Sequence, residues 1–96
     1  TLALAASVSA LLVLPAAASS DDSWEAFRKD VATACLKAAA PLFETPIVRV
    51  DPTGSASYGL ALVAGKAKGA DADIAAICVY DKATKAVEIG GELPAE

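Results

Sequence analysis

Cys35 and Cys78 constrain the fold of this chain more than any other feature. A single pair permits only one intramolecular connectivity, and closing a loop of about 43 residues stabilises a fold by roughly 4 kcal/mol in the chain-entropy treatment. Whether the pair closes depends on the compartment, and the first eighteen residues bear on that. Leu2 to Leu14 is an unbroken run of apolar and small residues, broken by Pro15 and followed by Ala16-Ala17-Ala18. That small-x-small spacing is what signal peptidase reads. At about 13 residues the run is too short for a membrane span, which needs roughly 20. With neither an initiator Met nor a basic stretch before it, the run is expected to be part of an export signal (residues 1–18), removed after Ala18. Export leads to an oxidising compartment, periplasmic or extracellular, and so to a Cys35–Cys78 disulfide. No cysteine stands at the cleavage site, so no lipid anchor is expected.

Residues 19–96 then form one small domain, at the lower end of what folds alone and suited to a covalent staple. The net charge of −4 lies entirely in this part. An acidic domain with scattered lysines lacks the basic face that nucleic acid demands. It also has no polybasic segment for an anionic membrane, and no later apolar stretch long enough to span one. The chain has no histidine, which removes the commonest general base and metal ligand.

Asp22 precedes Glu25 by three residues, a spacing resembling a capping box that opens a helix. From there Trp24, Phe27, Val31, Cys35, Ala38 and Leu42 recur at steps of three or four along one helical face. Glu25, Arg28, Lys29 and Lys37 fall mainly elsewhere. Pro41 limits the run, because proline cannot donate to the preceding turn. A helix is predicted over residues 22–40.

The rest reads as strands. Residues 46–51 carry Ile47, Val48 and Val50, and Asp51-Pro52-Thr53-Gly54 is a turn with proline at its second position. Residues 58–64 alternate, with Tyr58, Leu60 and Leu62 on one face and Gly59, Ala61 and Val63 on the other. Residues 65–73 form a polar loop. Residues 74–80 place Ile74, Ala76, Cys78 and Tyr80 together, residues 81–85 turn, and residues 86–89 form a fourth strand. The expected fold is α+β, one N-terminal amphipathic helix packed on a four-stranded antiparallel meander and tied to it by one disulfide. The face bearing Cys78 should be the core. The opposite face, read as Ala61, Val63, Ile77 and Val79, is apolar too, where a solvated face should turn polar. A second subunit, a partner or the C-terminal tail would cover it, or it stays a small bare patch.

No catalytic or metal motif is complete. Asp71-x-Asp73 falls far short of the six to eight oxygens, roughly, that calcium takes. Gly65-Lys66 lacks the phosphate-loop spacing, and Ala67 stands where Ser or Thr would bind magnesium. With no histidine, a serine nucleophile would need lysine as its base, and Ser57 and Lys66 have no spacing that specifies this. No enzyme activity, cofactor or metal is expected. In a meander the first and third turns emerge at one end of the sheet. That groups Thr53, Ser55, Ser57 and Tyr58 with Lys82 and Lys85, a rim able to offer hydrogen bonds and positive charge to carboxylates; the alternative is two ordinary solvated turns. Lys85 falls where such a turn prefers positive φ and glycine, which marks it for function.

From Trp24 to Leu93 the chain resembles a group of uncharacterised small exported proteins of Gram-negative bacteria, through VDPTGSASYGLALV (50–63) and ICVYDKATKAVEIGGEL (77–93). Gly54-Ser55-Ala56-Ser57-Tyr58 also resembles the Ser/Gly-rich loop, ending in Tyr, of periplasmic inhibitors of c-type lysozyme. In that family a loop serine and a lysine from a second motif enter the lysozyme cleft and engage its catalytic carboxylates. The resemblance implies the serine role for Ser55 or Ser57, and by position alone the lysine role for Lys82. It covers five residues. The family is an all-β barrel, and its second motif has no match here. The sequence thus leads to a non-catalytic periplasmic binding protein, an inhibitor or modulator of cell-wall hydrolases, with a peptidoglycan hydrolase as partner. The alternative is an interaction module that dimerises, or docks on an envelope protein, through its apolar sheet face.

Overall fold

A computed structural model describes residues 20–95 of the chain; the predicted leader, residues 1–18, lies outside the described residues. Helix α1 spans Asp21–Ala39. Its N-cap is Ser20, not the expected Asp22: the Ser20 hydroxyl accepts from the Ser23 backbone N–H at 3.1 Å. A short serine side chain in extended backbone reaches that free amide. Asp21 and Asp22 instead lie in the first turn and Lys37 in the last, each favourable to the helix dipole. Val31, Cys35 and Ala39 are fully buried along the predicted stripe, flanked by half-buried Trp24, Phe27 and Leu42. Ala39 takes the place expected of Ala38, because a step of four follows Cys35 on the buried line.

Four strands follow in meander order, all antiparallel: β1 (Ile47–Val50), β2 (Tyr58–Lys66), β3 (Asp73–Asp81) and β4 (Val87–Ile89). A two-residue strand, β5 (Leu93–Pro94), pairs with β3 beyond the end of β4, in a segment expected to be a tail. The predicted Cys35–Cys78 disulfide is present, with Cα atoms 5.9 Å apart, and it joins the helix to the central strand β3. The fold is therefore the expected α+β arrangement.

The helix covers the face bearing Ile74, Ala76, Cys78 and Tyr80, as expected. On β2, however, the assignment of faces is reversed. The register pairs Gly59 with Tyr80, Ala61 with Cys78 and Val63 with Ala76, so Ala61 and Val63 lie in the core. Leu60, Leu62, Ile77 and Val79 occupy the open face. The reason is steric: small residues beneath the helix let it approach the sheet. At Gly59 an added Cβ would stand 2.7 Å from Val31 Cγ2 and 3.0 Å from Phe27 Cζ.

Phe43 is the largest fully buried side chain, and the helical periodicity did not mark it. It lies past the helix end in a stretch that pairs with the segment after β2, through a bridge to Ala67 and the Glu44 N–H to Lys66 carbonyl bond of 2.9 Å. Burying a phenylalanine of this kind stabilises a fold by roughly 1.5–3 kcal/mol.

Candidate functional site

The β1–β2 and β3–β4 turns emerge side by side, each organised by an aspartate. Asp51 accepts the backbone N–H groups of Thr53 at 3.1 Å and Gly54 at 2.8 Å. Asp81 accepts those of Ala83 at 2.8 Å and Thr84 at 3.0 Å. These bonds favour the charged carboxylates and hold both side chains below their ordinary pKa, with Gly54 the main donor to Asp51 and Thr84 to Asp81. Gly54 has φ +71, and a Cβ there would collide with the Tyr58 carbonyl oxygen, so only glycine closes this loop without strain.

Lys82 joins the turns. Its ammonium donates to the carbonyls of Thr53 at 2.9 Å and Ser55 at 2.7 Å, while its backbone N–H donates to the Ser57 carbonyl at 3.0 Å. The same ammonium lies over the rings of Trp24 and Phe27, 5.4 and 5.1 Å from their centroids. Arg28 adds a third anchor, donating to the Pro52 carbonyl at 3.1 Å. Thus the start of the helix joins the rim, which the sequence reading missed. The signal was available: Trp24, Phe27 and Arg28 belong to the first turns of a helix that must cross Gly59 and Tyr80, at this end of the sheet.

The structure brings together the residues the sequence singled out, on unequal terms. The Ser55 hydroxyl accepts from the Tyr58 N–H at 3.1 Å, and Lys82 is half-buried under its own contacts. Thr53, Ser57 and Lys85 are exposed. Tyr58 is 43% exposed and begins β2 on the open face. Lys85 has φ +68, the left-handed conformation expected of it, with its N–H donating to the Asp81 carbonyl at 2.7 Å. A shallow depression of about 450 Å³ lies here, lined by Ala56, Ser57, Tyr58, Asp81, Lys82 and Ala83. The rim is a preorganised surface of exposed hydroxyls and one projecting lysine.

At the opposite end of the sheet, Asp71 meets Lys66 at 3.5 Å, an exposed ion pair. Among the described residues, no three Cys, Asp or Glu side chains gather as a metal site would require. No described helix is long and apolar enough to cross a membrane. Comparison with known proteins gives no match: no family model fits the chain, and no curated protein or solved structure shows significant similarity to it.

Proposed function

We propose that this is a non-catalytic binding protein of the periplasm, whose rim of paired turns enters the cleft of a cell-wall hydrolase and inhibits it. The observation that carries this reading is Lys85, held exposed at φ +68 on a rim fixed by Arg28, Lys82 and two aspartates. Non-glycine residues in that region cost of order 1–3 kcal/mol and cluster at ligand contacts. A loop already rigid loses little entropy on binding. The apolar leader and the disulfide support an oxidising compartment.

The roles follow from which groups are free. Ser55 and Lys82 are occupied within the rim, so Ser57 is the better hydroxyl donor to a catalytic carboxylate and Lys85 the better cation. The protein should slow lysis of cell-wall suspensions by lysozyme or a lytic transglycosylase, followed by turbidity. A hydrogen bond to a charged group is worth roughly 1.5–3 kcal/mol, so Ser57→Ala should weaken inhibition about tenfold or more. Lys85→Ala should act mainly through association rate and salt dependence. Absence of inhibition across several hydrolases at large molar excess overturns the proposal.

A further inference from the structure

The depression between the two turns has a chemistry that contact with a catalytic carboxylate leaves unused. Tyr58 and Asp81 stand directly opposite each other on β2 and β3, on the face of the sheet away from the helix. The Lys82 N–H donates to the Ser57 carbonyl in the adjoining pair, so Tyr58 and Asp81 form a non-hydrogen-bonded pair, the kind that brings side chains closer. An exposed aromatic ring thus sits beside a charged carboxylate. The Ala83 and Thr84 amides both bond Oδ1 of Asp81, and Oδ2 receives neither. Among the described residues, the Ser57 hydroxyl and the N–H groups of Ala56 and Ser57 have no hydrogen-bond partner. Ala56 and Ala83 contribute only methyl groups, which leaves about 450 Å³ of open space. We infer that this depression is a saccharide site, taking one pyranose ring of a neutral glycan stacked on Tyr58, with its hydroxyls bonded to Asp81 and Ser57.

The ligand class follows from what the site offers. The negative face of an aromatic ring attracts polarised hydrogens, and a pyranose presents a flat face of C–H groups. An acceptor at Asp81 beside free amide donors requires a ligand that both donates and accepts, as sugar hydroxyls do. The charges on this face and its rim balance: Asp51, Asp81 and Glu88 stand against Arg49, Lys82 and Lys85. The Lys82 ammonium is already spent on the Thr53 and Ser55 carbonyls. A cation would meet the free amides and Lys85, and an anion would meet Asp81, whereas a neutral ligand meets neither penalty. An apolar wall with a few convergent polar groups is the usual make-up of small-ligand sites, and the volume lies within their range of roughly 300–1,000 Å³. The depression is shallow, so the dissociation constant should be about 1 mM or above.

Amide shifts of the isotope-labelled, oxidised protein test this, on titration with tri-N-acetylchitotriose and with maltotriose to about 20 mM each. At least one of the two should give saturable shifts at Ala56, Ser57, Tyr58 and Ala83. Tyr58 is 43% exposed at the start of β2, so its variants should leave the unfolding midpoint nearly unchanged. Tyr58→Phe keeps the ring and should bind within about twofold of wild type, while Tyr58→Leu keeps an apolar chain without a flat face and should weaken binding about tenfold. Asp81→Asn keeps the acceptor that organises the turn but loses the charge, and should weaken binding several-fold. Absence of saturable shifts with both sugars overturns the inference. So does a Tyr58→Leu variant that binds like wild type, or arginine amide, titrated in parallel, binding more tightly than either sugar. No hydrolase is present in this experiment, so its outcome is independent of the lysis assay that tests inhibition.

Discussion

At Lys85 the Cβ crowds the backbone, a cost glycine does not carry. Lys85→Gly should therefore stabilise the fold by about 1 kcal/mol in chemical denaturation, while weakening inhibition if the lysine is a contact. A gain in stability with unchanged inhibition would make this lysine incidental. The conformation was legible in the sequence, because Asp81-Lys82-Ala83-Thr84 names a turn and leaves the next residue left-handed. The engagement of Lys82 was not legible: where a long flexible side chain ends depends on carbonyls 27 and 29 residues away. Asp51 and Asp81 carry a further consequence. Their folded pKa values lie below the ordinary 3.8, so they contribute stability above that value and lose it as pH falls through the lowered values. The thermal midpoint should drop on acidification below about pH 4. Replacing both with Asn, which keeps an acceptor oxygen but does not titrate, should flatten part of that drop.

The elements themselves were readable because their periods differ, 3.6 for the helix and 2 for the strands. Cys78 correctly marked the core face of β3. The faces of β2 were not readable from alternation alone, since both are apolar, and bulk suggested no order between them. What decides is how close α1 must come: Gly59, Ala61 and Ala76 lie under it, while Leu60, Leu62 and Ile77 point away. Gly59→Ala tests this account. The new methyl must displace Val31 and Phe27, and overpacking of a buried helix contact costs roughly 1–3 kcal/mol. The shift should appear in the denaturant midpoint. Phe43 escaped the sequence reading for a related reason, lying in a short paired segment between helix and sheet where neither period applies.

On the scale of the whole molecule, the disulfide should dominate stability. Replacing Cys35 and Cys78 together by Ala should cost about 4 kcal/mol, a large part of what a domain of this size possesses. Thermal unfolding with and without the bridge measures it. The bridge also divides the chain in a way that bears on the rim. Residues 35–78 form a covalent ring holding the end of α1, β1, β2 and most of β3; residues 20–34 and 79–95 are two open arms. Arg28 on the first arm grips Pro52 in the ring. Lys82 on the second grips Thr53 and Ser55 in the ring and lies against Trp24 and Phe27 of the first. The rim is therefore the buckle that fastens both arms to the ring. Lys82→Met should speed amide exchange in residues 21–30 and 87–89 together, with the paired amides of β1 and β2 still protected. By the same linkage, a ligand that clamps the rim should quieten both arms at once, while one that pries Lys82 from its carbonyls should loosen both.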